Sequence, residues 1–70
     1  MKNRRLREQL GKLNARVPRG SRGSAQNEFR FGVWFYASQE RYTFEEALHH
    51  ALLAVRQNHS GFIPTILPGT

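Results

Sequence analysis

The sequence predicts a small α+β domain: a basic helix, a long central strand, a capped amphipathic helix, and a short C-terminal edge strand or extended tail. Three observations lead there. Leu6, Leu10, Leu13 and Val17 recur at helical spacing among arginines. Residues 28–36 alternate between two faces. Thr43 and Glu46 form the sequence signature of a capping box just before a second helical stripe.

The first helix follows from angle. At about 100° per residue, Leu6, Leu10, Leu13 and Val17 fall within a stripe about 60° wide, and Arg4, Arg5, Arg7, Lys12 and Arg16 fill the rest of the circumference. Gly11 weakens this helix by roughly 1 kcal/mol relative to Ala, and Pro18 ends it by displacing the preceding residue from helical angles. From Pro18 to Gln26 the run P-R-G-S-R-G-S-A-Q predicts a flexible basic linker. Overlapping its start, Val17 to Ser21, V-P-R-G-S, resembles the end of a thrombin-cleavable linker, although Arg16 stands where the usual leucine would. Residues 1–27 are thus expected as a basic helix with a linker, and residues 28–70 as a small α+β core.

The core opens with Glu28 to Tyr36, E-F-R-F-G-V-W-F-Y. Alternation places Phe29, Phe31, Val33 and Phe35 on one face of a strand, and Arg30, Gly32, Trp34 and Tyr36 on the other. The next helix begins at the Thr43 cap, runs to about Asn58 and stops at Ser60-Gly61. Phe44, Ala47, Leu48, Ala51, Leu52, Ala54 and Val55 share its apolar face. Leu53 falls on the polar side, among Glu46, His49, Arg56 and Gln57. In the last stretch, Pro64 and Pro68 exclude a helix and restrict Phe62 to Leu67 to an edge strand or an extended tail. A lone strand needs a partner for its backbone groups. Either Phe62 to Leu67 pairs with Phe29 to Tyr36, or two copies pair their central strands as a homodimer.

Charge is divided as sharply as the pattern. The chain of 70 residues carries +6, with a pI near 11.2. Residues 1–27 hold eight basic residues against Glu8 alone, whereas residues 28–70 hold three basic against four acidic. All five Phe, both Tyr and the single Trp lie in the second part. A basic arm on a nearly neutral aromatic core suits a chain that grips a polyanion.

Other classes are disfavoured. With no cysteine there is no disulfide framework, thiolate zinc site or cysteine nucleophile. His49 and His50 are adjacent, point about 100° apart on a helix and cannot chelate one ion together. His59 lies ten residues beyond His49, so no metal and no cofactor is expected. No nucleophile, base and orienter stand at a usable spacing, and the chain is not expected to be an enzyme. No apolar run approaches the roughly 20 residues of a membrane span. The basic stripe has no aromatic anchor for a membrane surface. The start, Met1-Lys2-Asn3-Arg4-Arg5, lacks the apolar stretch of a secretory signal, which makes the cytoplasm the expected compartment.

The expected function is that of a small accessory or regulatory protein that binds DNA or RNA. Arg4, Arg5, Arg7, Lys12, Arg16, Arg19 and Arg22 would meet phosphates, joined by Arg30 from the strand. Trp34 and Tyr36 beside Arg30 would make a stacking platform for unpaired bases, unless Trp34 belongs to the core. The alternative is a compact protein-interaction module, an inhibitor or adaptor of the kind phages and plasmids encode. It would dock through the aromatic strand, Leu53, and Ile63, Ile66 and Leu67 of the tail.

Overall fold

The computed structural model describes residues 2–69. Three helices span Lys2–Arg16 (α1), Ala25–Ala37 (α2) and Phe44–Arg56 (α3), with no strand among the described residues. The α+β expectation therefore fails at its central element. Residues 28–36 form most of α2.

The reason lies in two periods that coincide over a short run. Phe29 and Val33 are four residues apart, so the alternation that puts both on one face of a strand also puts both on one face of a helix. Signals outside the run decide. Ser24 caps α2, its side chain accepting a hydrogen bond from the Asn27 amide at 3.2 Å. Ala37 adds a third buried position after Phe29 and Val33. Over 13 residues the helix reaches about 20 Å and satisfies its own backbone, which a solitary strand cannot do.

On α1 the helix is found, but the buried line differs from the leucine stripe. Gln9, Leu13 and Val17 are buried, whereas Leu6 and Leu10 are exposed. Gln9 lies one turn before Leu13 on the same line, and its amide reaches the Ala37 carbonyl at the end of α2 at 3.4 Å. Leu13 and Val17 join Phe29, Val33, Phe44, Leu48 and Val55 in a single core. Residues 1–27 therefore supply part of the core through Leu13 and Val17.

The segment read as a flexible linker is tied in at several points. Val17 is fully buried, and the Pro18 carbonyl accepts from the Gln26 side-chain amide at 2.9 Å. A Cβ at Gly20 would stand 2.5 Å from the Ser24 hydroxyl oxygen, so only glycine passes there. Gly23 has φ +81° and completes the turn into the Ser24 cap.

α3 follows its sequence signals closely. Both halves of the Thr43/Glu46 capping box are present, and Phe44, Ala47, Leu48, Ala51 and Val55 are buried. The helix stops at Arg56, two residues short of the expected Asn58, and Gly61 turns the chain at φ +82°. Leu53 is exposed, as its place on the polar side implied.

Phe62 to Gly69 is the extended alternative, with neither helix nor ladder. Phe62 packs on Phe29 at a centroid distance of 6.2 Å. The Gln26 side chain brackets Thr65, donating to its carbonyl at 3.1 Å and accepting from its amide at 2.9 Å. The Leu67 amide donates to the Arg16 carbonyl at 2.7 Å. With no strand among the described residues, pairing of central strands is no longer a ground for a homodimer.

Candidate functional site

The eight cations expected to meet phosphates fall into two groups. Three are committed within the fold. Arg5 donates to the Gln39 and Tyr42 carbonyls at 3.1 and 2.6 Å, closing the α2–α3 connection. Arg16 donates to the Leu67 carbonyl at 3.1 Å and pairs with Glu45 at 2.6 Å. Arg30 donates from Nε to the Val17 carbonyl at 2.9 Å and from Nη2 to Asn14 Oδ1 at 2.5 Å, satisfying groups at the end of α1.

The other five are Arg4, Arg7, Lys12, Arg19 and Arg22. All are exposed, and none makes a hydrogen bond or ion pair among the described residues. By helix angle Arg4 points away from the buried line of α1, Arg7 flanks the side of Leu10, and Lys12 flanks the side of Arg16. Arg19 and Arg22 continue the charge into the α1–α2 turn.

Arg19 and Arg30 meet in a groove of about 270 Å³ between α1 and α2, whose walls include Leu10, Phe31 and Trp34. Desolvation, and then the charge of Arg19, lowers the pKa of the Arg30 guanidinium from its ordinary value, although arginine stays protonated. Arg30 and Trp34, four residues apart, share this side of α2. Tyr36 does not. It turns toward α3, with its ring 5.3 Å from Tyr42 and 5.4 Å from His50. The expected platform of Arg30, Trp34 and Tyr36 is therefore split by the helix. Phe31, 69% exposed, takes the place of Tyr36 beside Trp34. Alternation had hidden Phe31 by assigning it to the same face as Phe29; a helical wheel separates them by about 200°. Trp34 itself is half-buried and packs against the core with one side in the groove.

A second groove, of about 450 Å³, runs between α2 and α3 along Phe31, Gly32, Phe35, Ala51 and Ala54. The residues expected to form a protein-docking face are not gathered there. Leu53 stands on α3 at 49% exposure, while Ile63, Ile66 and Leu67 are exposed along the tail.

The histidines are dispersed. His49 is exposed, His50 is half-buried between Tyr36 and Tyr42, and His59 Nε2 meets Glu28 Oε2 at 3.1 Å. Among the described residues no cluster of three His, Asp or Glu side chains is placed to hold a metal. No helix there is long and apolar enough to cross a membrane. Compared with protein-family models, curated proteins and solved structures, the chain matches none.

Proposed function

We propose that this protein binds nucleic acid as an accessory or regulatory factor, with α1 and the α1–α2 turn supplying the phosphate contacts. The observation that carries the reading is the set of five exposed cations without internal partners, Arg4, Arg7, Lys12, Arg19 and Arg22. Arg5 and Arg16, whose donors are engaged by the fold, leave the contact set. A cytoplasmic setting goes with this proposal.

The physical consequence is salt dependence. Each phosphate neutralised releases condensed counterions, so these five contacts by themselves contribute a slope of log K against log salt of about −4.5 on duplex and −3.5 on single strands. The test measures that slope for the wild type and for a triple variant, Arg4→Gln, Arg7→Gln and Arg19→Gln. The variant should lose roughly 0.7–0.9 of slope per residue with its circular dichroism unchanged. A slope that does not move overturns the assignment.

A second reading has its own observation. Phe31 and Phe35 are 69% and 53% exposed beside the α2–α3 groove, and exposed apolar patches mark interaction sites. In that reading the protein is an inhibitor or adaptor, and the cations steer an acidic partner toward it. A homodimer would use the same aromatics. Light scattering would then return a mass above 8.1 kDa that rises with concentration.

A further inference from the structure

We infer that the groove between α1 and α2 takes unpaired nucleotides, so that the protein prefers single-stranded to duplex nucleic acid. This rests on the nucleic-acid reading above and names its substrate class.

The groove joins the two chemistries a single strand offers. Phe31 is the most exposed large hydrophobic on α2, and Trp34 stands one turn further along the same side. An aromatic ring stacks on any base, because every base has a π-face. Arg19 and Arg30 flank those rings and can meet phosphate or stack in turn.

Arg30 is also pre-organised. A guanidinium carries five N–H donors, and the Val17 carbonyl and Asn14 engage one each. Three remain, on a group whose position is already set. Arg19 has no partner among the described residues, and neither guanidinium faces a carboxylate there. The Glu28 carboxylate, on the same helix, is engaged by His59. Two like charges brought together without a counter-ion favour the arrival of an anion. Burial chiefly, and then the charge of Arg19, lowers the pKa of Arg30.

Duplex DNA would use this surface poorly. Its bases show only their edges in the grooves, and their faces are buried in the stack, so Phe31 and Trp34 would have nothing to stack on. α1 is also poorly equipped to read base edges. By helix angle its outward line carries Arg4, Gly11 and Ala15 beside the acidic Glu8. Glycine and alanine offer no side-chain donors, and Glu8 repels phosphate.

The experiment titrates the full chain, at one low salt concentration, with an oligothymidine and with a duplex of equal nucleotide number. Trp34, the single tryptophan, reports directly. The oligothymidine should bind at least about tenfold more tightly and quench Trp34, while Phe31→Ala should weaken that binding by roughly five- to 150-fold. Phe31→Leu, which keeps apolar bulk but removes the ring, should lose comparable affinity and serves if the alanine variant does not fold. Arg19→Gln should weaken single-strand binding more than Arg22→Gln, which lies outside the groove. Duplex binding as tight as single-strand binding, or single-strand affinity unchanged in the folded Phe31 variant, overturns the inference while leaving nucleic-acid binding intact. Absence of binding to either probe overturns both.

Discussion

Gly32 on α2 lies so close to Ala51 on α3 that a Cβ added at position 32 would stand 3.1 Å from the Ala51 Cβ. The two helices meet here through small residues, with the buried Phe29, Val33, Ala47 and Leu48 around the contact. A glycine inside a helix costs roughly 0.5–1 kcal/mol of propensity. Close helix packing, which the larger side chains on either side then fill, offsets that cost.

Gly32→Val should therefore destabilise the protein by about 1–2 kcal/mol, since overpacking outweighs the gain in propensity. Gly11→Ala should do the opposite. A Cβ at Gly11 meets nothing within 4 Å, so the change should add roughly 0.5–1 kcal/mol. In a domain this small each kcal/mol moves Tm by about 4–8 °C. Thermal melts in which both variants shift in the same direction would contradict the packing described.

Neighbouring arginines should behave differently. Arg5→Ala removes a charged donor from the Gln39 and Tyr42 carbonyls and should cost about 1.5–3 kcal/mol in urea unfolding. Arg4→Ala touches an exposed side chain and should stay within about 0.5 kcal/mol of wild type. In binding assays the order reverses, with Arg4→Ala reducing the salt slope. Equal stability effects would show that Arg5 is not the clasp.

Gln26 is the link between the α1–α2 turn and the tail. Gln26→Ala removes its hydrogen bonds to the Pro18 carbonyl and to both backbone groups of Thr65. The Thr65 and Leu67 amides should then exchange with solvent faster, while the helical circular dichroism stays the same. Unchanged exchange at both amides would show that the tail is held elsewhere.

The α3 cap should respond to acid. The Glu46 carboxylate accepts from the Thr43 amide at 2.8 Å, and this hydrogen bond chiefly holds its pKa below the ordinary glutamate value. With the folded pKa depressed, the stabilising contribution is present above the unfolded value and is lost as pH falls through the folded one. Wild type should exceed Glu46→Gln in Tm at neutral pH. The gap should close across the acid side of the carboxylate range. A gap that is constant with pH would exclude ionised Glu46 as its source.

How far each element could be read from the sequence follows how local its cause is. The Thr43/Glu46 cap and the buried face of α3 were readable because three consecutive turns contain every group involved. The arginine-rich character of residues 1–27 was equally plain, as were the outward Leu53 and the non-helical tail with Pro64 and Pro68. Less was readable on α1, where Gln9 displaces Leu6 and Leu10 from the buried line. Its amide meets the carbonyl of Ala37, 28 residues away.

The order of residues along the chain determined the separation of charge from aromatic residues, the capped third helix and the extended end. Tertiary structure alone decided that residues 28–36 are helical and that Arg5, Arg16 and Arg30 serve the fold. It also decided that Phe31, and not Tyr36, stands beside Trp34. Phe29 and Val33 share a face under either period, and a strand at this position would have needed a neighbour, whereas helix α2 satisfies its own backbone. Which arginines remain free depends in turn on partners at the end of α1, in the α2–α3 connection, on α3 and in the tail, which come together only once the chain is packed.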